Sequence, residues 1–285
     1  MPRLHGSQAE RPPGCLSGGD TGILPGRMGS PSPAAPPAKA LGRFKRGVLG
    51  TLASVFSLGC AATLPPALPP ALPAERRPPV LLVHGIDDDH RTLAPVKAHL
   101  LARGFSDVEA IDLVPNDGSA GIPALAEQVR DAALALRART GAERVDVVAF
   151  SMGSLVTRYW LMRGGGQAAV RRFVSISGPH HGTLLAFFRA NEGARQMRPD
   201  SPLLRDLARD EGEWGGVEAV SLWTPLDLMI VPPASSRLRG ARHRAFPVVA
   251  HPLMLHDPRV LDAVTDALSG AHAQVPGIWS YPDWP

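Results

Sequence analysis

One short stretch constrains the fold more than any other. The β-branched run Val145-Asp-Val-Val-Ala-Phe150 passes through Ser151 straight into Met152-Gly153 and a helical stretch that ends near Met162 at three glycines. An almost fully apolar strand of this kind reads as buried on both faces of a parallel sheet. When strand becomes helix within one residue, that residue takes strained backbone angles. Its neighbours two positions either side approach each other and must be small. Ala149 and Gly153 meet that need. The turn lifts the Ser151 hydroxyl above the sheet edge. It also points the Met152 N–H, at a helix N-terminus, toward any negative charge that develops there. A serine that merely caps its helix, with a chance glycine after it, is the competing reading. The strand-turn-helix context weighs against it.

The rest of the body repeats the alternation. Strands are expected at 80–83, 108–113, 144–150, 172–177, 217–223 and 246–250, and helices at 93–103, 122–139, 152–162 and 258–268. In the second helix Leu125, Val129, Ala132, Ala133 and Leu136 share one face. Strands alternating with helices imply an α/β class, a mostly parallel sheet with helices on both faces. Residues 183–216 break the rhythm. They read equally as part of a lid or acyl pocket, or as a plain surface excursion. The aromatic tail 276–285 is expected to pack on the body.

Charge separates this body from what precedes it. Of 30 Lys/Arg and 26 Asp/Glu, nine basic and three acidic residues lie in 1–78, which leaves 21 against 23 for the remainder. The body is close to neutral and offers no basic patch for nucleic acid. Residues 1–42 are rich in Pro, Gly, Ser and Ala. They form a disorder-prone leader, or an untranslated one if the true start is Met28 or later. Residues 43–62 have a basic start, a short apolar run and Cys60-Ala-Ala, a signal-peptide or lipoprotein-signal pattern. The run is too short for an ordinary membrane span. Ser57-Leu-Gly-Cys60 is close to a bacterial lipobox. The expectation is export, as a secreted protein or as a bacterial lipoprotein anchored through lipidated Cys60. Residues 63–78 form a stiff Pro-rich linker, and the folded domain spans 79–285. Both cysteines, Cys15 and Cys60, precede it, so it holds neither a disulfide nor a thiolate metal site. Asp87-Asp88-Asp89-His90 has no recognisable ligand spacing and reads as a solvated loop, with no metal expected.

The pieces Val83-His84-Gly85-Ile86, Ala149-Phe-Ser-Met-Gly153, Ser177-Gly-Pro-His-His-Gly-Thr183, Asp227-Leu-Met-Ile-Val231 and His251 to Val260 together resemble the bacterial triacylglycerol lipases and esterases of the α/β-hydrolase superfamily. Small Bacillus-type lipases are the nearest comparison. The resemblance spans nearly all of 80–268. It implies an α/β-hydrolase fold, Ser151 as nucleophile, and an oxyanion hole made by the N–H groups of Ile86 and Met152. The acid then follows the fifth strand, at Asp227, and the base follows the acid in the chain. A loop aspartate that only makes a turn is the plainer reading of Asp227. Asp206 and Asp210 look like solvent-facing helix residues. Among ten histidines, His84 is structural, His180 shapes the pocket, His181 comes too early, and His243 sits in a solvated turn. His251 and His256 remain. His251 is preferred, because two large apolar residues and then Val260, nine positions on, follow it as in the family.

These residues imply hydrolysis of a carboxylic ester of a lipid or small molecule through an acyl-enzyme, with no cofactor. An acyltransferase would use the same triad. A non-catalytic hydrolase-like surface lipoprotein is the alternative from another class. The natural ester, its acyl length and the oligomeric state are not legible in the sequence.

Overall fold

The computed structural model describes residues 77–270, within one compact unit, Ala67–Pro285. The leader 1–42, the signal 43–62 with Cys60, the linker up to residue 76 and the tail 276–285 lie outside the described residues. Six strands, β1 (Val80–Val83), β2 (Val108–Ile111), β3 (Val145–Phe150), β4 (Val170–Ile176), β5 (Glu218–Trp223) and β6 (Arg242–Ala245), form one sheet in the order β2-β1-β3-β4-β5-β6. Every pairing is parallel. The helices are α1 (Ala94–Ala102), α2 (Gly121–Thr140), α3 (Met152–Arg163), α4 (Glu192–Gln196), α5 (Pro202–Arg209) and α6 (Pro258–Ser269).

The period-2 alternation of a strand divides the core in two. From β1, Leu81 and Val83 join Val145, Val147 and Ala149 of β3 beneath α2 and α3. Val80 and Leu82 join Val148 and Phe150 on the other face, beneath α1 and α6. A sheet covered on both faces explains why β1 and β3 read as continuous apolar runs. From β1 the chain runs outward to β2 and then returns across it to β3. The loops after β1 and β3 therefore open a crevice at the carboxyl edge, where ligands bind in open α/β sheets.

Two expectations need correction. The last strand is Arg242–Ala245, not 246–250. Phe246 N–H still donates to Trp223 O at 2.9 Å, but Val248 N–H, the next donor on that side, turns back to Phe246 O at 2.8 Å and ends the ladder. Phe246 and Val248 are apolar because they fill the α6-side core. Arg242-His243-Arg244 lies on an edge strand hydrogen-bonded on one side only, so its polar residues fit water. His243 is thus a strand residue and not part of a turn. Second, of the two readings left open for 183–216, the plain surface excursion does not hold. It folds into a 3₁₀ turn (Leu184–Phe188), α4 and α5, with Leu204 and Leu207 buried in the core beneath α3.

Candidate active site

Ser151 sits between β3 and α3 with φ 52° and ψ −125°, a left-handed conformation that a non-glycine residue holds only when its surroundings impose it. Packing imposes it here. A Cβ on Gly153 would lie 2.3 Å from His84 O and 2.8 Å from Val83 O, so only glycine lets α3 start against β1. Ser151 N–H donates to Ile176 O at 2.9 Å, fixing the turn to β4. The side chain makes no capping bond to the helix it precedes, which removes the capping explanation for this serine.

The loop after β1 is set by His84, which is fully buried. Leu113 N–H donates to its Nε2 at 2.9 Å, so the ring proton is on Nδ1, which donates to Gly85 O at 2.7 Å. His84 is thus structural, as the sequence suggested. The loop it holds carries Ile86. Met152 opens α3, and the first N–H groups of a helix have no intrahelical acceptor. Neither the Ile86 nor the Met152 N–H meets a backbone acceptor among the described residues. The two side chains share a neighbour, since a Cβ on Gly118 would lie 3.3 Å from each.

Asp227 follows β5 and is 2% exposed. Its Oδ1 accepts from the N–H groups of Met229 and Ile230 at 2.8 and 2.9 Å, and its Oδ2 accepts from His251 Nδ1 at 2.8 Å. With the Nδ1 proton committed to the carboxylate, Nε2 keeps its lone pair. It is buried and has no partner. The His251 ring packs on Phe150, the residue before the serine, with centroids 4.7 Å apart. Asp227 and His251, 24 residues apart, are therefore joined beside the elbow, although Nε2 and Ser151 Oγ do not form a hydrogen bond in this state. Such bonds are often long without substrate.

His251 opens a 3₁₀ turn (His251–Leu255), and His256 ends it. Asp257 caps α6 with Pro258 at its first position. His180 is fully buried, bonded through Nε2 to Ser175 Oγ at 2.7 Å, and burial, with Arg158 nearby, holds its basicity well below the usual histidine range. It stays neutral. His181 pairs with Glu211 at 3.1 Å, Asp206 with Arg163 at 2.7 Å and Asp210 with Arg163 at 2.8 Å.

Sequence reasoning passed over two threonines that brace the acid. Thr224 Oγ1 donates to Val248 O at 2.7 Å, tying the Asp227 loop to the His251 loop. Thr183 Oγ1 donates to Met229 O at 2.7 Å. A small hydroxyl residue at a loop start carries too little signal to reveal such a brace. Exposed apolar side chains stand on the three segments that leave the carboxyl ends of β4, β5 and β6, the sheet edge that carries Ser151: Leu184, Phe187 and Phe188, then Leu226, Leu228 and Met229, then Val249 and Leu253.

Comparison with known proteins agrees with this geometry. Residues 79–201 match the family model described as palmitoyl protein thioesterase. A triacylglycerol lipase of Pseudomonas fragi is 31% identical over 115 residues, which is 39% of this chain and 37% of that protein. Lipase B of Aspergillus fumigatus superposes with a TM-score of 0.60 at 22% identity, over 68% of this chain and 52% of that one. The chain has the α/β-hydrolase fold of these lipases. The mature lipase BlEst2 of Bacillus licheniformis shares this α/β-hydrolase fold, with a TM-score of 0.54 at 16% identity over 70% of this chain and 95% of that one. The chain spans about half the length of lipase B and just over a third of the Pseudomonas lipase.

Proposed function

We propose that the protein is a serine hydrolase of carboxylic esters, acting on acylglycerols or similar lipid esters through Ser151, His251 and Asp227. The observation that carries the reading is the Asp227–His251 bond beside the strained Ser151 turn. Nε2 of His251 takes the Ser151 proton as Oγ attacks the ester carbonyl. The Asp227 carboxylate stabilises the imidazolium that forms. The tetrahedral oxyanion rests on the Ile86 and Met152 N–H groups, donors fixed before the charge appears. The imidazolium protonates the departing alcohol, and water repeats the sequence on the acyl-enzyme. No cofactor enters these steps. The apolar rim supports a lipid acyl chain over a polar one.

The test is labelling with a fluorophosphonate, which reacts only with an activated serine, together with hydrolysis of oxygen esters of graded acyl length and a palmitoyl thioester. Labelling at Ser151 with turnover of longer acyl esters is expected. Folded protein that takes no label would instead fit a binding protein built on a hydrolase fold. Ester turnover that partitions to an added alcohol in preference to water would make it an acyltransferase. We further propose export by the 43–62 signal and anchoring through lipidated Cys60.

A further inference from the structure

The loop after β1 presents three consecutive carboxylates, Asp87, Asp88 and Asp89. Two are answered by cations. Asp87 Oδ1 accepts from Arg189 Nη1 at 3.0 Å, and Asp89 Oδ2 accepts from Arg91 Nε at 3.0 Å. Asp88 is half-buried and is in no ion pair among the described residues. The expected solvated loop is thus solvated at Asp87 and turned inward at Asp88. A side-chain carbon on Gly85 would lie 2.9 Å from Asp88 Oδ2 and 2.9 Å from Ser151 Cβ. The Asp88 carboxylate and the β-carbon of Ser151 are therefore no more than two such lengths apart, across the one residue that has no side chain.

The groups that face this carboxylate come from every neighbouring element. Thr92 Oγ1 donates to Oδ1 at 3.3 Å from the 3₁₀ turn before α1. The Gly85 N–H and His84 face it from its own loop, Ser151 from the elbow, and His251 from the last loop. Burial raises the Asp88 carboxyl above its usual range, and these neighbours only partly pull it back.

We propose that Asp88 is a specificity-determining residue that discriminates against anionic esters. The proposal rests on the hydrolase reading above. An uncompensated carboxylate beside the reacting carbon repels any substrate that brings a second negative charge there. A half-buried site screens that repulsion less than water does, and roughly tenfold in kcat/KM is the expected scale. Neutral esters escape the penalty. Because the repulsion needs the ionised form, discrimination is strongest well above the Asp88 titration and fades as pH falls through it.

Two matched pairs test this. One places the charge on the acyl half, p-nitrophenyl hexanoate against the p-nitrophenyl monoester of adipic acid. The other places it on the alcohol half, phenyl butyrate against 4-sulfophenyl butyrate. In Asp88→Asn the anionic-to-neutral ratio of kcat/KM should rise about tenfold for the pair whose charge lies nearer the loop. Its dependence on pH should disappear. Asp88→Ser serves if the Asn variant fails to fold by circular dichroism. Ratios within about twofold of wild type for both pairs, with the pH dependence kept, would overturn the assignment of Asp88 alone. Wild-type protein that hydrolyses neither neutral ester and takes no fluorophosphonate would overturn the hydrolase reading, and this proposal with it.

Discussion

At the residue scale, the three groups of the proposed triad have separable roles. Ser151→Ala removes the nucleophile at a position whose backbone is held by Ile176 O and by the packing of Gly153. The fold should survive while kcat falls by a factor on the order of 10⁶. His251→Ala should be nearly inactive, whereas His256→Ala should keep most of its kcat, because the Asp227 carboxylate bonds His251 and His256 lies at the far end of the 3₁₀ turn. Retention of about a tenth of the activity in Ser151→Ala, or the reverse ranking of the histidines, would sink these roles. Gly153 is subject to a different limit. Its replacement by Ala drives a carbon into the carbonyls of His84 and Val83, backbone atoms that have nowhere to go. Gly153→Ala should lower stability by about 1–3 kcal/mol or more. A thermal melt unchanged from wild type would contradict the close approach of α3 and β1.

At the scale of elements, a buried ionic cluster joins α3 to the segment after α5. Arg158 of α3 is 1% exposed in its side chain. It donates to His180 O at 2.8 Å and Leu207 O at 3.0 Å, with Glu211 at 3.9 Å. Burial lowers the guanidinium to about 10, still charged at neutral pH. Glu211 receives His181 on one oxygen and the Arg239 N–H on the other. Burial alone would raise its carboxyl, but these partners and Arg158 outweigh burial and hold it at about 2. The ordinary value is 4.5, so the unfolded chain binds the proton more tightly. The stabilisation is complete above pH ~4.5 and is lost as pH falls toward ~2. Glu211→Gln should cost on the order of 2–3 kcal/mol at pH 7 and flatten stability against pH over that window. Denaturant melts at several pH values read this directly. A variant whose stability still falls with the wild-type slope would remove Glu211 from the account.

At the scale of the whole molecule, the apolar loops that rim the site and the chain ahead of residue 77 point the same way. Phe188, Leu228 and Val249 are 87, 74 and 71% exposed on three different loops at one edge. A protein that works at a lipid surface gains from being tethered near one. Two acyl chains on Cys60 would hold it there far more firmly than one. Mass spectrometry of protein from its native host should find Cys60 as the modified first residue. A native N-terminus upstream of residue 43 would refute both export by this signal and lipidation.

What the sequence determined alone is local. The elbow was legible because strand, serine and glycine are contiguous, and the steric demand acts across five residues. The two-sided sheet was legible because burial on both faces writes itself as unbroken apolar runs. Asp227 and His251 were legible only through chain order and family pattern, since nothing in either local stretch marks its partner. Tertiary structure decided the rest, for reasons of environment. The last strand was misplaced because Phe246 and Val248 are apolar for the core and not for a ladder, while Arg242–Ala245 is polar because a sheet edge meets water. Asp88 read as one of three equivalent acids. Its neighbours took up the available arginines, and the missing side chain of Gly85 opened a path from its carboxylate to the serine. The Asp89–Arg91 pair is local, but Arg189 lies 102 positions from Asp87, and Ser151 likewise reaches Gly85 from a distant part of the chain, so only folding brings them to the same loop.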